Sequence, residues 1–107
     1  MKLPFLLAAL TACAKPAEPN ADEGARLYGA ACARCHGVEG RGGPAQGTRP
    51  APRNFHDAAF QSAHTDAELK EVIRHGKGAY MPGFAAVMSD PDLDHLVAQL
   101  RSFGKSP

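Results

Sequence analysis

A chain of 107 residues has room for one domain, and with five Phe, two Tyr and no Trp that domain has little bulky material for a core. A formal net charge of +1 excludes the strongly basic surface on which general nucleic-acid binding depends. The charge is nevertheless uneven. Arg26, Arg34, Arg41, Arg49 and Arg53 crowd the first half, and Asp57, Asp66, Glu68, Glu71, Asp90, Asp92 and Asp94 the second. That split reads either as ordinary solvated surface or as a basic rim, Lys77 included, on which a partner docks.

Residues 1–12 hold a single Lys2 and then the apolar run Leu3 to Leu10, interrupted by Pro4. The run falls short of the roughly 20 residues a membrane-spanning helix needs and suits the apolar region of a signal peptide. Leu10-Thr11-Ala12-Cys13 follows and resembles the lipobox of bacterial lipoproteins. The resemblance implies cleavage before Cys13 and attachment of a diacylglycerol to its sulfur. At about 0.8 kcal/mol per buried CH₂, more than one acyl chain gives stable anchoring. The alternative is a soluble exported protein whose cleavage site merely contains a cysteine. Residues 13–21 carry two prolines and no hydrophobic period, so they read as a tether of about 25 Å if extended.

The domain proper spans 22–107. Asp22 to Ala33 reads as a helix, with acidic residues where its N-terminus favours them. Gly24 and Tyr28 share one face of it. The helix leads into Cys32-Ala33-Arg34-Cys35-His36, the C-x-x-C-H pattern of covalent haem attachment. Two thiols on one turn reach one edge of a haem, and the following imidazole lies under the iron as an axial ligand. A thioredoxin-like redox pair would want a βαβ pattern, and a zinc site would want a second ligand pair. Neither is visible. A haem would also supply the apolar mass that the side chains lack.

Gly37 to Gly47 is a glycine-rich loop containing Pro44, suited to tight folding against a flat ring. Pro50 and Pro52 argue against a long helix before Arg53. Arg53-Asn54-Phe55 is expected to cross the propionate edge of the haem, Arg53 pairing with a propionate, Asn54 donating to one and Phe55 covering the ring. The alternative for Arg53 is plain solvent exposure. Thr65 and Glu68 form a capping box, and Leu69, Val72 and Ile73 make the inward stripe of the helix that follows, ended by Gly76.

Tyr80-Met81-Pro82-Gly83-Phe84 is the second constellation. A thioether is a soft neutral donor suited to haem iron and raises its potential relative to a second imidazole. A lone Met is otherwise core filler, but a glycine-flanked loop stiffened by Pro82 favours Met81 as the second axial ligand. Met88 is expected to pack near the last helix. His56, His64, His75 and His95 are rival ligands expected to face water. Ser89-Asp90-Pro91-Asp92 opens the final helix, whose stripe is Leu93, Leu96, Val97, Leu100 and Phe103, stopped by Gly104.

Residues 22 to 104 resemble the class I cytochromes c, through Cys32-x-x-Cys35-His36 and the Met81-Pro82 segment. The resemblance implies a small all-α class I cytochrome c fold around one covalent haem c, ligated by His36 and Met81. It implies that Gly24 and Tyr28 let the first helix cross the last closely; the bland alternative makes Gly24 only a weak spot in the helix. It also implies that the Pro44 carbonyl accepts the proton on the far nitrogen of His36. The family often carries an aromatic where Gln99 stands. With both axial positions filled, the expected activity is one-electron transfer between a redox donor and acceptor, not catalysis. The expected setting is the periplasmic side of a bacterial membrane, with a monomer held to lipid through Cys13. Alternatives are a subunit of a larger dehydrogenase or oxidase, or a haem peroxidase or gas-binding protein should Met81 be labile.

Overall fold

Five helices make up the regular structure among residues 4, 18–43 and 51–106, the part of the chain that the computed structural model describes. Helix α1 (Ala21–Ala31) begins one residue ahead of the expected start. The Asn20 side chain accepts the N–H groups of Asp22 and Glu23 there, satisfying donors that the first turn leaves unpaired. Helix α5 (Asp90–Phe103) starts in a complete capping box between Ser89 and Asp92, with Pro91 in the first turn. Leu93, Leu96, Val97 and Leu100 are buried along its stripe, as the 3.6-residue period requires.

The α1/α5 crossing organises the domain. Gly24 is buried there, and a Cβ added to it would lie 2.0 Å from the His95 carbonyl oxygen and 2.9 Å from Gln99 Cβ. Backbone therefore touches backbone at this point. Tyr28, one turn on, is 2% exposed. Gln99 stands where the resemblance implies an aromatic, and Phe103, a further turn along, supplies one by meeting Tyr28 edge-on at 5.1 Å between ring centroids.

The same crossing overturns one expectation. His95 does not face water: it is buried, and its Nδ1 accepts the Asn20 backbone N–H at 2.9 Å. The apolar period of α5 marks the inward stripe, whereas the cover over His95 comes from the start of α1, 75 positions away.

Helix α4 (Asp66–His75) carries the predicted capping box, with Thr65 Oγ1 accepting the Glu68 N–H and the Glu68 carboxylate accepting the Thr65 N–H, each at 3.1 Å. These backbone bonds hold the Glu68 carboxyl below its ordinary value, and the matching pair at Ser89 does the same for Asp92. Leu69 and Ile73 are buried and Val72 is half-buried. Between α2 (Ala33–His36) and α4 lies the short α3 (Ala58–Ala63), capped by Asp57. A single α5 side chain ties its end to α4. The Arg101 guanidinium donates to the Gln61 carbonyl at 2.7 Å, to the Asp66 carboxylate at 2.7 Å and to the His64 carbonyl. Gln61 in turn donates to the carbonyls of Phe55 and Leu100.

Candidate functional site

The attachment motif makes its own turn of helix. α1 ends at Cys32, whose N–H still reaches the Tyr28 carbonyl at 2.8 Å, and the chain restarts as α2 (Ala33–His36). The N–H groups of Cys35 and His36 both donate to the Cys32 carbonyl, at 3.2 and 3.0 Å. The two thiols therefore sit on a turn separate from α1, which corrects the expected unbroken helix. The Tyr28 hydroxyl donates to the Gly37 carbonyl at 2.7 Å inside the core, fixing the residue that follows His36. Cys32 and Cys35 are not bonded to each other, and Cys35 is exposed. Burial, reinforced by neighbouring Cys35, pushes the Cys32 thiol up to about 11.

His36 is held neutral. Burial lowers its pKa from the usual imidazole value, and the Arg53 backbone acts more weakly in the opposite sense. Its Nδ1 is sealed from solvent, and no hydrogen-bond partner for it stands among the described residues. The partner expected for that nitrogen, Pro44, lies outside the described residues, as does Cys13. Phe55 stacks on the imidazole at 4.8 Å between centroids with a 27° tilt, which keeps the ring's orientation from drifting.

These groups open onto a cavity of about 650 Å³. Cys32, Cys35, His36 and Met81 all line it, with Tyr28, Phe55, Ile73, Phe84, Leu96 and Leu100 supplying most of the apolar wall. Met88 and the four other histidines are not in the wall. Met88 instead packs against the core, His56 sits between the carbonyls of Glu39 and Ser106, and His75 pairs with Glu71. The donor set suits a haem: two thiols, a neutral imidazole and a thioether around an apolar space larger than this chain's own side chains fill.

Arg53 lines the cavity, with its guanidinium 5.2 Å from the centre of the Phe60 ring. Asn54 does not. Its side-chain oxygen accepts the His56 N–H at 3.0 Å and its carbonyl accepts the Asp57 N–H, so it shapes the turn before α3, as Asn commonly does. The mouth carries the exposed cations Arg34, Arg53 and Lys77 and the exposed Tyr80, and no Asp or Glu lines the cavity among the described residues. The loop bearing Met81 is bonded to the end of α4, where Phe84 N–H donates to the Ile73 carbonyl and Ala85 N–H to that of Arg74. The sequence reading missed that attachment, of which Gly76 at the end of α4 and Gly83 next to the Met-Pro pair are the visible traces.

Residues 19–100 match the protein family described as "Cytochrome C oxidase, cbb3-type, subunit III". The chain belongs to this family of c-type cytochromes. The cytochrome is 33% identical over 88 residues to cytochrome c-554(547) of Halothiobacillus neapolitanus, a match covering 76% of this chain and 93% of that protein. It is 28% identical over 86 residues to the cbb3-type cytochrome c oxidase subunit FixP of Azorhizobium caulinodans. That match covers 80% of the cytochrome but only 28% of FixP, so the chain spans little more than a quarter of that relative. Among solved structures, the KustC0563 c-type cytochrome superposes with a TM-score of 0.65 at 31% identity, over 75% of this chain and 95% of that one. The all-α cytochrome c fold is thus the one expected. The cytochrome carries one covalent haem c and serves electron transfer.

Proposed function

We propose that the cytochrome is a His/Met-ligated one-electron carrier, tethered by lipid to the periplasmic face of a bacterial membrane, and not an enzyme. One observation carries the ligation: His36 and Met81 line the same apolar cavity, while every other histidine and Met88 lie outside its wall. Haem supplies a one-electron Fe(II)/Fe(III) couple when bound. The chain's part is to hold and shield it. Cys32 and Cys35 fix it through thioethers, the neutral His36 ring offers a nitrogen lone pair, and Met81 offers sulfur. With His36 and Met81 both bound to it, a haem iron would offer no open coordination site to a substrate. Arg53, which lines the cavity, would pair with a propionate.

The cationic mouth, lined by no carboxylate among the described residues, fits an acidic surface on a redox partner, with docking that weakens as salt rises. The likeness to FixP supports a second reading, a subunit of a larger oxidase. Purification of the cytochrome in a fixed-ratio membrane complex would favour that reading over a free shuttle.

Met81→Ala is expected to abolish the long-wavelength sulfur-to-iron absorption of the ferric protein. It should also lower the potential by a sizeable part of the roughly 0.8 V span that axial ligands set. Met88→Ala should do neither; the reverse outcome in a spectral redox titration would exchange the two methionines. Cys13→Ser is expected to release the protein from membranes, and retention in the membrane fraction would remove the anchor.

A further inference from the structure

The loop that carries Met81 leaves α4 at Gly76 and is pressed back on that helix so tightly that two glycines make the contact. At Gly76, where φ is +80°, an added Cβ would stand 2.5 Å from the Met81 carbonyl oxygen and 2.7 Å from the Gly83 nitrogen. At Gly83 it would stand 2.7 Å from the Arg74 carbonyl oxygen and 2.8 Å from that of His75. Every one of these neighbours is backbone, so no side-chain rotation relieves the clash. The bonds point the same way. Phe84 and Ala85 donate to the carbonyls of Ile73 and Arg74 at 3.0 and 3.1 Å, and Lys77 donates to that of Met81 at 3.0 Å. The Ile73 and Arg74 carbonyls belong to the last turn of α4 and have no partner within the helix. The methionine loop is therefore the C-terminal cap of α4.

The far end of the loop is also pinned. Arg74 donates to the Asp90 carboxylate at 2.7 Å, and Lys70 pairs with Asp94 at 2.9 Å, tying α4 to the start of α5. A loop pushed off α4 must then absorb the displacement within itself, at the segment holding the thioether. We propose that Gly83, with Gly76 beside it, is a positioning residue for Met81: the missing side chain keeps the sulfur in the cavity wall. This rests on the reading of Met81 as an iron ligand.

The test uses the holoprotein. Gly83→Ala and the native protein are titrated with denaturant while the ferric sulfur-to-iron band and the far-ultraviolet helical signal are followed together. The variant is expected to lack the band without denaturant, or to lose it well before the helical signal, with a lowered potential. Gly29→Ala, where an added Cβ meets nothing within 4 Å, should keep the band and the native spacing between the two losses. Persistence of the band in Gly83→Ala until the helical signal itself is lost overturns the proposal. So does loss of band and helicity with the native spacing between them, because a merely structural glycine would move the two together. Met81→Ala separates the two levels: if that variant keeps the band, the ligand assignment falls. If it loses the band while Gly83→Ala keeps it, only the positioning role falls.

Discussion

Cys32→Ala/Cys35→Ala protein is expected to run colourless on a denaturing gel and to lose most of its far-ultraviolet helical signal. The cavity left without haem measures about 650 Å³. At about 24 cal/mol per Å³ of unfilled space, such a void costs up to about 16 kcal/mol. That is an upper bound, because the cavity opens to solvent. Domains of this size are stable by only about 5–15 kcal/mol in total, so even half of that cost removes most of the margin. The remaining core cannot compensate. Nine buried apolar side chains form it among the described residues, and Tyr28, Phe55, Ile73, Leu96 and Leu100 of that set spend one face on the cavity. Circular dichroism of the double variant decides the matter, and a native-like helical spectrum would show that the polypeptide folds without its cofactor.

Gly24→Ala is expected to lower stability by about 3 kcal/mol, the upper part of the range for overpacking a filled interior. Helix propensity alone predicts the opposite sign, a gain of about 1 kcal/mol for Ala over Gly inside a helix. The tertiary contact decides. A Cβ 2.0 Å from the His95 carbonyl oxygen cannot coexist with the present α1/α5 distance. Separating the helices would loosen the Tyr28–Phe103 contact and the Asn20–His95 hydrogen bond together. At about 4–8 °C per kcal/mol for a domain of this length, thermal unfolding of the holoprotein should move down by about 12–24 °C. Gly29→Ala, on the same helix but facing open space, should raise stability slightly. Equal behaviour of the two variants would mean that the crossing is looser than described.

Short-range chemistry was legible in the chain itself. The haem motif, the capping residues Thr65 and Ser89, the apolar period of α5 and the Met81-Pro82 loop each depend on residues within a few positions of one another. Their meaning survives without knowing what lies across the fold. The Gly24/Tyr28 face was legible only through the family resemblance, since a lone glycine in a helix carries no direction of its own.

Contacts between distant segments were decided by the tertiary structure alone. His95 reads as a polar helix residue until Asn20, 75 positions earlier, covers it, and Arg101 reads as surface charge until it clasps Gln61, 40 positions earlier. Asn54 reads in the sequence only as a candidate donor, and the folded chain adds that its side-chain oxygen accepts the neighbouring His56 N–H. Polar side chains have several available partners, and only the packed backbone selects among them. Apolar period and cap chemistry carry their own geometry, so the sequence by itself determined the haem motif and the principal helices, while the folded chain settled how those parts close around the cavity.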